Sequence, residues 1–126
     1  MAQDSIRSYA VRAQSTDVFG RVLCNVRNHH FVVDGPVQNG CPGEEVTPAE
    51  MFLAAIAACG VELVQSFAKA QQLALGAVHV AISGALDRER PVRTDVSVLN
   101  WVKIEFALAG VSQSEAEDLI GRFRNR

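Results

Sequence analysis

The hydrophobic and polar positions of this chain separate into short strand-like segments and two longer helical ones. Five segments rich in apolar and β-branched residues predict strands, and the last two alternate clearly between apolar and polar positions. These segments are residues 6–13, 20–27, 29–34, 76–87 and 96–109. Helices are predicted for residues 47–73 and from residue 112 onwards. This order predicts one α+β domain over residues 1–126, with an antiparallel sheet packed on a long central helix and a second helix.

The first predicted helix organises the chain. Thr47, Pro48 and Glu50 provide the N-cap, the proline of the first helical position and the third-position glutamate of a capping box. Residues 51–61 carry no charge, so apolar side chains surround the helix for about three turns. The uncharged run is shorter than the roughly 20 residues that cross a bilayer. We therefore expect a soluble protein whose central helix is buried, with a second copy in a homodimer completing its cover.

The second predicted helix begins at Ser112, where Glu115 completes another capping-box pattern. Its apolar side carries Ala116, Leu119, Ile120 and Phe123. The sequence then ends at Arg126 without a helix-stop signal such as glycine. From this ending we expect the C-terminal end of the domain to be incomplete.

Composition and charge narrow the classes of function. The chain has a formal net charge of -2 and no cluster of Lys or Arg, which argues against nucleic acid as a partner. Its N-terminus shows no secretory signal, and three cysteines without a CxxC spacing fit a reducing compartment. We therefore expect a cytoplasmic protein with no membrane partner. Because His29 and His30 would point to opposite faces of a strand, we expect no metal, and we expect no cofactor.

Cys59 is the residue that we expect to carry chemistry. The small residues around it are Ala55, Ala57, Ala58 and Gly60. They would let a second backbone or a small ligand approach the thiol. The alternative is that Cys59 is a packing residue, because free cysteines are often buried and inert. Cys41 lies in the loop of residues 35–46, where it is either a redox-active thiol or a bystander, and Cys24 is expected in the core or the sheet.

The sequence resembles the osmotically inducible protein C (OsmC) and organic hydroperoxide resistance (Ohr) family. The resemblance rests on the segment HHFVVDGP, a glycine-rich loop and the helix TPAEMFLAAIAACG. The family pattern is Asp-x-Pro, a glycine-containing loop, Pro-x-Glu-Leu-Leu-Leu-Ala-Ala and a cysteine. The residues that match the helical part of this pattern are Pro48, Glu50, Ala54, Ala55 and Cys59.

This resemblance implies an intertwined homodimer in which two central helices pack between sheets. It also implies a cysteine-based peroxidase that reduces organic hydroperoxides or hydrogen peroxide in oxidative-stress defence, with a thiol reductant as its second substrate. Cys59 matches the peroxidatic cysteine, whose thiolate would attack the peroxide and become a sulfenic acid. The alternative is a non-catalytic dimer of the same fold that binds a small apolar ligand.

Two features depart from the family pattern. The family's resolving cysteine follows the second helix, where this sequence ends. Aligned without gaps, the family's activating arginine and glutamate fall near Val18 and on Ala49, whereas Arg21 and Glu50 lie close to these positions. The chain therefore looks like a general member of the family rather than a typical organic hydroperoxide reductase.

Activation of the Cys59 thiol requires a nearby positive charge, because apolar surroundings disfavour the thiolate. Arg21 is the first candidate for the thiolate stabiliser, and the others are Arg7, Arg12 and Arg27. Glu50 lies on the opposite side of the helix from Cys59, so it either caps the helix or contacts a thiol across a dimer. Glu62 follows Cys59 by one turn and would oppose its ionisation.

Overall fold

The computed structural model describes residues 5–126 and has an α+β architecture, as predicted. In chain order the elements are β1 (Arg12–Ser15), β2 (Arg21–Val26), β3 (His29–Asp34), α1 (Pro48–Ala70), β4 (Val78–Ala85), β5 (Trp101–Leu108) and α2 (Gln113–Arg124). A short 3-10 turn, Val37–Asn39, lies between β3 and α1. The chain divides into two compact units, which are residues 1–51 and 52–126.

The first unit is built on an antiparallel sheet in the order β1-β2-β3. In the β2–β3 hairpin, Arg21 lies opposite Asp34 and Cys24 lies opposite Phe31. Cys24, Val33 and Asp34 are buried. The position expected for Cys24, in the core or the sheet, is confirmed.

Strand β1 begins later than its sequence predicts. The prediction was 6–13, whereas the paired strand is Arg12–Ser15. The pairing of β1 with β2 extends from Ser15 opposite Val22 to Arg12 opposite Asn25, and residues 6–11 form no strand pair with β2. The length of β1 is thus set by its neighbour and not by its own apolar pattern.

The second unit packs the antiparallel β4–β5 hairpin against α2 and most of α1. Its fully covered residues are Val64, Ala68 and Leu119. The half-buried residues around them are Phe67, Leu73, Leu75, Val78, Phe106 and Leu108. The predicted capping box of α2 is confirmed, because the Ser112 and Glu115 side chains each accept a hydrogen bond from the other residue's backbone.

Helix α1 is covered on one side only within this chain. Of its 23 residues, Gly60, Val64 and Ala68 are buried. The prediction of a buried helix is therefore not met by a single chain, since one hairpin and one helix reach only one of its sides. By length and composition alone α1 is also apolar enough to cross a membrane, although its uncharged run is short. Core helices of soluble proteins share these properties, so this feature alone does not indicate a membrane protein.

Candidate active site

Cys59 lies on the uncovered side of α1. Gly60 turns towards the core, where an added Cβ would lie 3.1 Å from the ring of Phe106 and 3.6 Å from that of Phe123. The side chains that follow the opposite side of the helix, at alternating steps of three and four residues, are all exposed. They are Phe52, Ala55, Cys59, Glu62, Ser66 and Lys69, here called the exposed stripe.

The Cys59 thiol is therefore accessible in this chain. The sequence predicted a sulfur deep in apolar surroundings, and the structure exposes it instead. The reason is geometric, because Gly60 faces the core and the side chain of the preceding residue, Cys59, points about 100° away from it around the helix. On the N-terminal side of Cys59, the short side chains of Ala55 and Ala58 do not cover the thiol. On its C-terminal side, Glu62 lies one helical turn away.

The three cysteines differ in their exposure. Cys24 is buried, Cys41 is half-buried and Cys59 is exposed, and all three are free thiols. Oxidation of cysteine depends on access as well as on thiolate character. By access alone, Cys59 is therefore the thiol of this chain that a dissolved oxidant would reach most readily.

Cys41 occupies a space that two glycines leave open. A Cβ built on Gly20 or on Gly35 would lie 2.4 Å from the Cys41 sulfur. The Cys41 thiol also faces the carbonyl oxygen of Asn39 at 3.8 Å. This close packing in the loop of residues 35–46 is compatible with the bystander alternative, and the redox-active alternative stays a prediction.

Arg21, the predicted thiolate stabiliser, forms a two-pronged ion pair within the first unit. Its Nε donates to Asp34 Oδ1 over 2.8 Å, and its Nη2 donates to Asp34 Oδ2 over 2.9 Å. A longer contact of 3.3 Å joins Nη2 to Glu44 Oε1. These contacts raise the pKa of Arg21 further above its ordinary value, with the Asp34 hydrogen bonds as the largest cause. Its role towards Cys59 stays a prediction.

Asp34 is a residue whose importance the sequence reasoning missed. Its side chain has no solvent exposure, and its Oδ2 also accepts hydrogen bonds from the backbone N–H groups of Glu44 and Glu45. Its pKa is well below the ordinary value, chiefly because of the Arg21 hydrogen bonds and then because of the two backbone donors. The signal was the Asp-x-Pro motif, whose aspartate lies opposite Arg21 in a hairpin.

Glu50 caps α1 in this structure. Its Oε1 accepts hydrogen bonds from the backbone N–H and the hydroxyl of Thr47, both over 2.9 Å. The Thr47 hydroxyl in turn accepts from the Glu50 N–H over 3.4 Å. The Thr47 backbone and side-chain hydrogen bonds lower the pKa of Glu50. A contact of Glu50 with a thiol across a dimer stays untested.

Among residues 5–126, no group of three or more His, Cys, Asp or Glu side chains is placed to hold a metal ion. The loop between β4 and β5 forms a surface cavity of about 350 Å³. Charged residues line it together with apolar ones such as Leu86 and Val96. Cys59 does not line this cavity.

Comparison with known proteins adds a family and a set of similar folds. A family model described as "OsmC-like protein" matches residues 41–126, which include α1, Cys59 and everything after them. No curated protein sequence matches the chain.

Several solved structures share this fold. The OsmC-like protein of Mycoplasma pneumoniae has a TM-score of 0.80 at 15% identity, over 95% of this chain and 82% of that chain. An organic hydroperoxide resistance protein of Elizabethkingia anophelis has a TM-score of 0.76 at 19% identity, over 95% and 83%. One from Legionella pneumophila has a TM-score of 0.67 at 20% identity, over 95% and 84%. At these identities the likeness shows a common fold.

Proposed function

This chain belongs to the OsmC-like protein family, and from that premise we propose that it is a cysteine-based peroxidase in peroxide defence. Its substrates are organic hydroperoxides or hydrogen peroxide, and Cys59 is the peroxidatic residue. The observation that carries the proposal is the position of Cys59, which is an exposed thiol on the helix that the family model matches. Two similar folds belong to proteins named for organic hydroperoxide resistance, which supports the same role.

The reaction needs one thiol and one peroxide bond. The Cys59 thiolate attacks one peroxide oxygen, the S–O bond forms as the O–O bond breaks, and the sulfur loses two electrons. The leaving alkoxide or hydroxide takes up the proton that the thiol released when it ionised. The products are a Cys59 sulfenic acid and an alcohol, or water when the substrate is hydrogen peroxide.

A thiol reductant returns Cys59 to its starting state. The first reductant thiol condenses with the sulfenic acid to a mixed disulfide and releases water. A second reductant thiol attacks that disulfide, which releases the Cys59 thiol and the oxidised reductant. This sequence uses no second cysteine of the chain.

The thiolate stabiliser is the second part of the proposal. Arg21 remains the first candidate, although its guanidinium is shared between two carboxylates in this structure. The initial rate of Cys59 alkylation at neutral pH should fall in Arg21→Gln if this arginine stabilises the thiolate. An unchanged rate in a folded variant would leave Arg21 with its role at Asp34 alone and would remove it from the site.

The third part of the proposal is a cytoplasmic homodimer in which a second copy packs along the exposed stripe of α1 and leaves a path for the peroxide to Cys59. The apolar side chains of this chain are poorly buried, as Phe52 at 58% and Trp101 at 53% exposure illustrate. A second copy would remove such surface from water, which is the main driving force of obligate association. Sedimentation of a stable monomer at micromolar concentration would contradict this part.

The assignment of Cys59 is tested by oxidation at low peroxide. After stoichiometric cumene hydroperoxide, a sulfenic-acid probe should label Cys59 within seconds. Cys59→Ser should lose turnover with a thiol reductant, whereas Cys41→Ser, the matched control, should keep it. If Cys59 stays reduced while Cys41 is oxidised, the assignment fails. If neither thiol reacts, the non-catalytic dimer that binds a small apolar ligand becomes the better description.

A further inference from the structure

Glu62 is the charged residue next to Cys59 on the exposed stripe. Both side chains are exposed, and they are three residues apart on α1. Side chains at this spacing are neighbours on a helix surface, with Cβ atoms about 5–6 Å apart. Between Glu50 and Lys69, Glu62 is the only charged residue of the helix. Among residues 5–126, no cation forms an ion pair with it.

The surroundings of Cys59 are thus different on its two sides along the stripe. Towards the N-terminal end of α1, the side chains of the stripe are apolar, namely Phe52 and Ala55. Towards the C-terminal end, the first side chain is the Glu62 carboxylate. The organic group of a hydroperoxide can therefore contact the apolar side while its peroxide bond lies at the sulfur.

From this arrangement we propose that Glu62 determines specificity, so that the site favours uncharged hydroperoxides over those that carry a carboxylate. The inference rests on the peroxidase activity proposed above. Like charges repel, and an anionic substrate would approach a thiolate and the Glu62 carboxylate at the same time. An uncharged peroxide meets no such opposition. A partner subunit along the stripe would exclude water and reduce the screening of the Glu62 charge.

The test compares two hydroperoxides that differ by one carboxylate group. Cumene hydroperoxide and its para-carboxylate derivative have the same peroxide group and the same aromatic body. We measure kcat/KM for both with the full chain and with Glu62→Gln, and the ratio of the two values is the readout. Glu62→Gln also favours the thiolate, but that effect speeds both substrates equally and cancels in the ratio.

The full chain should prefer the uncharged peroxide, and Glu62→Gln should reduce this preference by at least about twofold at low salt. This is the effect expected in bulk water for two unit charges roughly 10 Å apart, since the para-carboxylate lies a ring's length beyond the sulfur. High ionic strength should shrink the difference between the two proteins. Glu62→Lys should shift the ratio further, in favour of the carboxylate. Glu117→Gln, which removes the same charge from an exposed position on α2, should leave the ratio unchanged.

The possible failures are distinguishable. If Cys59 is oxidised normally but the ratio is the same in the full chain and in Glu62→Gln, the role of Glu62 is refuted and the peroxidase proposal stands. If neither peroxide oxidises Cys59, both proposals are refuted. A change in the ratio that Glu117→Gln reproduces would indicate the net charge of the protein and would also refute the role of Glu62.

Discussion

Asp34 joins the two ends of the loop that precedes α1. It ends β3, and its carboxylate accepts hydrogen bonds from Arg21 at the start of β2 and from the backbone of Glu44 and Glu45 near the end of the loop. Its own N–H donates to the carbonyl of Val46 over 3.0 Å. A buried carboxylate is tolerated only when such donors replace water. We infer that this residue fixes the path of residues 35–46 into the helix.

Replacement of Asp34 by asparagine should destabilise the protein strongly. The amide removes the negative charge, leaves Arg21 with Glu44 as its remaining carboxylate, and presents an NH₂ group to donors. We expect the melting temperature to fall by about 5–15 °C. Asp95→Asn is the matched control, because Asp95 pairs with Arg93 in an exposed loop, and exposed pairs contribute little. Equal melting temperatures for wild type and Asp34→Asn would contradict the proposed anchoring.

Acid should weaken the fold through the same residue. Because the folded state lowers the pKa of Asp34, the unfolded chain binds more protons than the folded one once the pH falls below about 5. The stabilisation is therefore complete above the unfolded pKa of about 3.9 and is lost as the pH falls towards the folded value. Urea midpoints at about pH 7, 4 and 3 should fall less steeply in Asp34→Asn than in the wild type. Parallel slopes would show that other carboxylates govern the acid response.

The helix starts were predicted well because their signals lie within a few residues of each other in the sequence. The start of α1 follows from Thr47 and Glu50, and that of α2 from Ser112 and Glu115, because a capping box needs only residues three positions apart. Strand β1 was misplaced because its length depends on pairing with β2. The Arg21–Asp34 pair was missed because hairpin register depends on the turn between the strands.

Two helical glycines allow the effect of helix propensity on stability to be measured separately from the effect of close packing. Gly121 in α2 has open space where a Cβ would stand, whereas Gly60 in α1 has the Phe106 ring at 3.1 Å. Gly121→Ala should therefore stabilise the protein by about 0.5–1 kcal/mol. Gly60→Ala should lose this gain, because the Phe106 ring would have to move, and this ring packs edge to face on Phe123 with centroids 5.5 Å apart. Urea unfolding measures both, and an equal gain at the two sites would contradict the close packing at Gly60.

For the molecule as a whole, the exposure of Cys59 could not be predicted from one chain's pattern. An apolar run indicates that a helix will be covered, but it does not indicate which element covers which side. Apolar residues make up 48% of the sequence, yet within residues 5–126 the buried ones are Cys24, Val33, Val64, Ala68 and Leu119. A chain of this length ordinarily buries a larger core. The unburied remainder is the physical reason for proposing a homodimer.

Trp101 and Phe52 together test the homodimer. Trp101 is the sole tryptophan of the sequence, and its exposure within one chain would give a long-wavelength emission maximum. We expect micromolar protein to emit at shorter wavelength, and dilution or Phe52→Asp to shift the emission to longer wavelength as the dimer dissociates. A buried charge at an apolar interface opposes association, whereas Glu117→Gln, at an exposed polar position of α2, should leave the emission unchanged. Emission that is long in wavelength and independent of concentration would mean that the single chain is the folded unit, and it would contradict the homodimer.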